Sequence, residues 1–190
     1  MLGLGFGKGL ILRDIKYVII TPARDEEKYI EGTIRSVIQQ TILPAEWVIV
    51  DDGSKDRTSE ILERYSTQFT WIHPVNRADR GYRKSGGGVV DAFYEGYGEL
   101  TTTDWDFIVK LDADLVFGNE YFEDCFKKFI ENPKIGIGGG TIYSNINGKY
   151  VKENCPPFHV RGATKIYRRD CWSAIGDLIR APGWDTLPAG

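Results

Sequence analysis

Between residues 16 and 131, short β-branched runs alternate with segments of helical periodicity, and that alternation narrows the fold more than any other feature of the chain. Residues 16–21 (KYVIIT) read as a strand, and residues 27–39 carry Ile30, Ile34, Val37 and Ile38 at helical spacing. Residues 46–51 (EWVIVD) read as a second strand of the fully buried type. The turn Asp51-Asp52-Gly53-Ser54 follows, then a helix that opens at Asp56 and carries Ile61, Leu62 and Tyr65. Residues 70–73 give a short third strand, residues 89–100 a helix after a glycine run, and residues 106–111 (DFIVKL) a fourth strand. Residues 120–131 form a helix with Phe122, Phe126 and Phe129 on its core face, closed by Asn132-Pro133. Repeated strand–helix–strand units predict an α/β protein with a mostly parallel sheet and helices on both faces.

After Lys134 the rhythm changes. Residues 135–143 read as a glycine-rich strand, residues 145–157 as polar and turn-prone, residues 159–167 as a further strand and residues 169–175 as a short helix. No internal repeat or linker divides the sequence, so residues 1–190 are expected to form one domain.

Charge and cysteine content exclude several classes of partner. With 24 basic and 27 acidic residues the net charge is -3, so no broad positive field exists to hold nucleic acid, and a polyanion must be met locally. Cys125, Cys155 and Cys171 form no C-x-x-C pair and leave one thiol over, which points away from a zinc knuckle or a disulfide framework and towards a reducing cytoplasm. The apolar stretch at residues 2–12 is broken by glycines and Lys8 and reads poorly as a signal peptide. No run approaches the ~20 apolar residues of a membrane-spanning helix, so membrane contact is expected to be peripheral at most.

The chemistry is sought at the carboxyl ends of the strands, where open parallel sheets bind ligands. Acids stand there repeatedly: Asp25 and Glu26 after the first strand, Asp51 and Asp52 after the second, Asp112 and Asp114 after the fourth. Bringing these charges together is costly unless a cation or hydrogen-bond donors compensate, so the group calls for a ligand. Asp112 and Asp114 flank one residue, and both carboxylates can reach a single divalent ion. Their hard oxygens suit Mg or Mn, which would bridge a diphosphate. An Asx-turn or helix cap is the competing reading. Asp52 is assigned to a ribose hydroxyl or a base imide, while Ser54 or Asp56 caps the helix.

Other segments carry weaker signals. Arg77, Arg80, Arg83 and Lys84 precede Gly86-Gly87-Gly88 and a helix, which makes either an anion-binding arrangement or a solvated loop, and the order of residues is not that of a P-loop. The glycines at positions 3, 5 and 7 have no preceding strand and are no dinucleotide fingerprint. His159 can supply a metal ligand or, with Arg161, contact a diphosphate; a structurally satisfied histidine is the alternative.

Taken in order, VIITPARDEEKYIEGTIRSVIQQTILPAEWVIVDDGSKDRT, KLDADL, HVRGATKIYRRDCW and GWDT resemble a family 2 glycosyltransferase of the GT-A fold, over residues 16–185. The resemblance implies a Rossmann-like, mostly parallel sheet. It also implies an inverting, Mn- or Mg-dependent transfer of a sugar from a nucleotide-diphosphate sugar to a hydroxyl of a glycan or lipid-linked acceptor. Matching motif to motif, Pro22, Ala23, Arg24 and Glu26 line the nucleoside pocket, Val50 and Asp52 its base and ribose end, Asp112 and Ala113 the ribose and sugar, and Asp114 the metal. Trp184-Asp185 stands where the family often has Glu-Asp, which makes Asp185 the candidate base, beside an indole ring able to stack on a sugar. Asp25 replaces the family's usual Asn. Members normally continue beyond this motif with a helix and acceptor-side structure, which residues 187–190 do not supply, so either a C-terminal truncation or a reduced enzyme is expected. Two alternatives stand beside this reading. One is a non-catalytic nucleotide-sugar-binding module. The other is a sugar-phosphate nucleotidyltransferase, whose glycine-rich triphosphate loop is not offered by TPARDEE.

Overall fold

The computed structural model describes residues 11–79, 81, 87–156, 158–181 and 183–184. In chain order the elements are β1 (Tyr17–Ala23), α1 (Ile30–Ile38), β2 (Glu46–Asp51), α2 (Thr58–Ser66), β3 (Ile72–Asn76), α3 (Gly87–Gly98) and β4 (Phe107–Leu111). They continue with α4 (Tyr121–Glu131), β5 (Ile137–Gly138), β6 (Tyr143–Ile146), β7 (Lys149–Lys152), β8 (Thr164–Arg168) and α5 (Arg169–Ala174). A six-stranded sheet runs in the order β3-β2-β1-β4-β8-β5. Strands β1 to β4 are parallel, and β8 lies antiparallel between β4 and β5.

Both faces of this sheet are covered, which is why its strands read as continuous apolar runs. Tyr17 and Ile19 of β1, Trp47 and Ile49 of β2, and Phe107, Val109 and Leu111 of β4 pack with α1, α2 and the Phe122, Phe126 and Phe129 face of α4. The alternate residues Val18, Ile20 and Ile108 face Val90 and Phe93 of α3 and Trp172 of α5. Val48 and Val50 meet Ala92 of α3. Close seating of α3 depends on Gly96, where an added Cβ would lie 2.7 Å from Ile20 Cγ2 and 2.9 Å from Val50 Cγ2.

A crevice opens because β1 and β4 part at their carboxyl ends. Their register runs from Tyr17↔Phe107 to Ile20↔Lys110, whereas β1 stays with β2 as far as Ala23↔Asp51. Pro22, which has no N–H to give, therefore sits where β1 has lost one of its two neighbours.

The second half departs from the sequence reading in three places. The strand expected at residues 135–143 is reduced to Ile137–Gly138. At Gly139 an added Cβ would come within 2.2 Å of the Thr164 carbonyl oxygen, so this glycine serves close packing. The turn-prone stretch at residues 145–157 holds a hairpin instead, β6 against β7, turned at Asn147 and Gly148, both with positive φ. The strand expected from residue 159 begins only at Thr164, where pairing with Leu111 starts. Among the described residues no helix is long and apolar enough to cross a membrane.

Candidate functional site

The crevice holds a hollow lined by Pro22, Ala23, Arg24 and Glu26 after β1, Asp52 after β2, Gly88, Val89 and Ala92 in the first turns of α3, and Asp112, Ala113 and Asp114 after β4. The strand ends that carry acids in the sequence thus face one space, as a parallel sheet with right-handed crossovers requires.

Side-chain hydrogen bonds lace the first two strand ends together. The Asp25 N–H donates to Ser54 Oγ at 2.9 Å, Lys55 N–H to Asp25 Oδ1 at 2.8 Å, Glu26 N–H to Thr58 Oγ1 at 2.8 Å and Glu27 N–H to Asp56 Oδ2 at 2.9 Å. Asp25 itself takes a left-handed conformation, φ 56°. The two aspartates that follow β2 divide their labour: Asp51 Oδ1 accepts the Ser54 N–H at 2.8 Å and closes the turn, while Asp52 lines the hollow. Gly53 (φ 76°) has no room for a side chain, since a Cβ would lie 2.5 Å from Asp79 Cα.

Arginines compensate the acids on this side. Arg77 Nη1 donates to Asp52 Oδ1 at 2.8 Å, and its Nε lies 2.7 Å from Glu95 Oε2. Arg24 Nη1 donates to the Asp52 carbonyl oxygen and Nη2 to Asp79 Oδ1, each at 2.7 Å. A backbone N–H from Gly81, then Lys55 and Arg24, hold the Asp79 carboxyl well below the usual carboxylate range. The Asp52 carboxylate is therefore held in place before any ligand arrives.

The D-x-D segment is anchored through its backbone. Asp112 N–H donates to the Ala163 carbonyl at 2.7 Å, and Thr33 Oγ1 of α1 donates to the Ala113 carbonyl at 2.7 Å while accepting the Leu115 N–H at 3.1 Å. Asp112 forms an ion pair with Lys110, whereas the exposed Asp114 makes no side-chain hydrogen bond or ion pair among the described residues. The donor set fits a divalent ion that keeps part of its shell for phosphate oxygens, because such ions are commonly held by one or two carboxylates plus substrate phosphates. Among the described residues no group of three or more His, Cys, Asp or Glu stands ready to hold a metal without such help.

Some expected site residues lie elsewhere. Val50 is 0% exposed and packs beneath α3, so its side chain does not reach the hollow. Arg161 lies in the loop before β8, where its Nη2 pairs with Glu153 Oε2 at 2.5 Å; it lines a different groove together with His159. That displacement follows from the late start of β8. Asp185, Arg80, Arg83 and Lys84 lie outside the described residues. The sequence reading overlooked Asp79 and also the groove that meets the hollow at Asp114, lined by Tyr29, Val116, Phe117, Tyr121, Tyr143, Tyr150 and Glu153 among others. The Asn147-Gly148 pair, a strong hairpin signal, would have revealed the groove's outer wall.

Comparison with known proteins follows the same lines. The profile of glycosyl transferase family 2 matches residues 18–176. The glycosyltransferase GlyA of Streptococcus pneumoniae is 25% identical over 164 residues, covering 83% of this chain and 21% of that protein. Residues 1–349 of Staphylococcus aureus TarS superpose with a TM-score of 0.63 at 21% identity, over 92% of this chain and 54% of that one. The mannosyltransferase PcManGT of Pyrobaculum calidifontis, in complex with GDP-Man and Mn2+, gives 0.63 at 16% identity, over 90% and 49%. The chain thus spans about a fifth of GlyA and about half of the two solved structures.

Proposed function

The chain belongs to glycosyl transferase family 2, and on that premise we propose that it is a glycosyltransferase that moves a sugar, with inversion, from a nucleotide-diphosphate sugar to a hydroxyl of a glycan or lipid-linked acceptor. The observation that carries the proposal is the meeting of Asp52, Asp112 and Asp114 around one hollow whose fourth side is the start of α3. In this reading Asp52, steadied by Arg77, takes the ribose or base, and Pro22, Ala23, Arg24 and Glu26 bound the nucleoside. The amide groups of the first turn of α3, around Gly88, favour the negative diphosphate.

Asp114, with the outer oxygen of Asp112, would hold Mn or Mg, whose chemical contribution is to neutralise charge gathering on the departing diphosphate. A solved neighbour of this fold holds GDP-Man with Mn2+, which supports a divalent metal and a nucleotide-sugar donor here. The acceptor enters from the groove that meets the hollow at Asp114, where Tyr29, Tyr143 and Tyr150 offer rings to a sugar. Inversion in one displacement needs a base on the acceptor side of the sugar. Asp185 takes the acceptor proton as the new glycosidic bond forms and the nucleoside diphosphate leaves. Its neighbour Trp184 packs against the α3 and α5 face of the sheet. The proposed working compartment is the cytoplasm or the inner face of its membrane.

The test is product release. Incubation with UDP- and GDP-sugars and Mn or Mg should liberate nucleoside diphosphate, by transfer or by slow hydrolysis, and chelation should stop it. Release that persists in chelator contradicts the metal assignment; no release from any donor, with or without acceptors, contradicts the reading as a whole.

A further inference from the structure

Lys110 occupies a position that nucleotide binding alone does not explain. It lies within β4, is 2% exposed, and its ammonium pairs with Asp112. Directly opposite, in the antiparallel register of β4 and β8, stands Lys165, itself 8% exposed. Both ammonium groups lie 5.4 Å from the centroid of the Trp184 ring. Like charges facing each other across a ladder repel, and burying an ammonium carries a desolvation penalty. A methionine or leucine would fill the same space with neither burden. The strand nevertheless retains a buried cation two residues before the D-x-D, within contact of its first carboxylate and shielded on another side by an aromatic face.

We propose that Lys110 is a positioning residue, the resident counter-ion of Asp112, so that the D-x-D offers a divalent ion one uncompensated carboxylate, Asp114, and the ion is held firmly only once a diphosphate supplies further oxygens. This rests on the reading of the hollow as a nucleotide-sugar site. An ammonium and a metal ion drawn to the same carboxylate oppose each other, and the opposition is reciprocal: each lowers the other's hold on Asp112 by the same factor. Metal and nucleotide then bind as a unit and leave as one.

Mn2+ titration of the full chain without nucleotide, followed by the electron paramagnetic resonance signal of the free ion, separates this role from a merely structural one. Replacing the ammonium with a neutral side chain of similar length, Lys110→Met, is expected to tighten Mn2+ binding by ~5-fold or more, the low end of ordinary couplings. The gain should shrink when UDP or GDP is present. Damage to the fold would only weaken Mn2+ binding, so unchanged or weaker binding by a folded Lys110→Met protein overturns the proposal. Should that variant not fold, Asp112→Asn and Asp114→Asn decide. The first is expected to leave nucleotide-free Mn2+ binding within about twofold and the second to abolish it; equal losses overturn the proposal. If neither UDP nor GDP strengthens Mn2+ binding by the unmodified protein, the nucleotide-sugar reading itself fails. If a nucleotide does so and Lys110→Met does not tighten Mn2+, only the role of Lys110 fails.

Discussion

The four parallel strands and the β6–β7 hairpin lie on either side of Asp114 and are built by opposite rules. Every residue of β2 and β4 is buried, while every residue of β7 is exposed. On the strand side, the positions of Asp52 and Asp112 follow from the core, because moving either would require β2 or β4 to slip against packed neighbours on both faces. On the hairpin side, Tyr143 (55% exposed) and Tyr150 (76% exposed) border the groove with little held beneath them. Under the proposed function, donor geometry is thus tied to the stability of the fold, and acceptor geometry is free to vary without it.

The contrast can be broken first at the junction. Asp114→Ala is expected to lower metal-dependent nucleotide release by ~100-fold or more, since the variant loses the carboxylate proposed to hold the cation that neutralises the departing diphosphate, while leaving the urea midpoint unchanged. A parallel fall in stability would tie Asp114 to the fold and blur the division.

Next in size is Gly96→Val. Its side chain has no space between α3 and the Ile20 and Val50 methyls, so stability should fall by ~2–3 kcal/mol in urea titration, with loss of nucleotide binding following from the displaced α3. Full stability in this variant would show that α3 is not clamped to the donor side.

Glu46→Gln probes the same half through pH. Burial alone would raise the Glu46 carboxyl, but the N–H groups of Thr101 and Thr102, at 3.0 and 2.6 Å, and the Thr101 hydroxyl outweigh it and hold the group below its ordinary value of 4.5. A depressed carboxylate contributes stability above its unfolded value and loses it as pH falls through the folded one. The variant should therefore be ~1–2 kcal/mol less stable at pH 7, with the deficit shrinking in acid. A deficit that stays constant down to pH 3 would contradict the assignment of the charge.

The smallest effect on the fold is expected at Tyr150→Ala, within ~0.5 kcal/mol of the parent, although acceptor-dependent transfer should fall while donor hydrolysis persists. A large loss of stability there would erase the distinction between the two sides.

How far each side could be read from sequence follows the same division. Residues 46–51 have the same limits in sequence and in structure, because a run buried on both faces ends sharply at a turn that Asp51 closes. Pro22, Ala23, Arg24, Glu26, Asp52 and the D-x-D were legible as strand ends of a parallel sheet and do share a hollow. Val50 is expected in the nucleoside pocket by motif position, whereas strand alternation puts its side chain under α3. Residues 135–163 were poorly legible, since Gly139 and Gly140 serve close packing against Thr164 and Tyr121 rather than strand pairing. The salt bridge of Arg77 with Asp52 joins the residues one step beyond the Asp51↔Asn76 end of the β2–β3 pairing, a register the sequence alone does not give. The pairing of Lys110 with Asp112 did leave a trace, a lysine at i−2 to an aspartate in an otherwise apolar strand.

The most direct measurement of the central claim is a crystal structure of the protein with Mn2+ and a UDP- or GDP-sugar. The nucleoside should lie against Asp52 and Arg24, with the metal on Asp114 between the carboxylate and the diphosphate. A nucleotide bound away from this hollow, or a metal on residues other than the D-x-D, would contradict it.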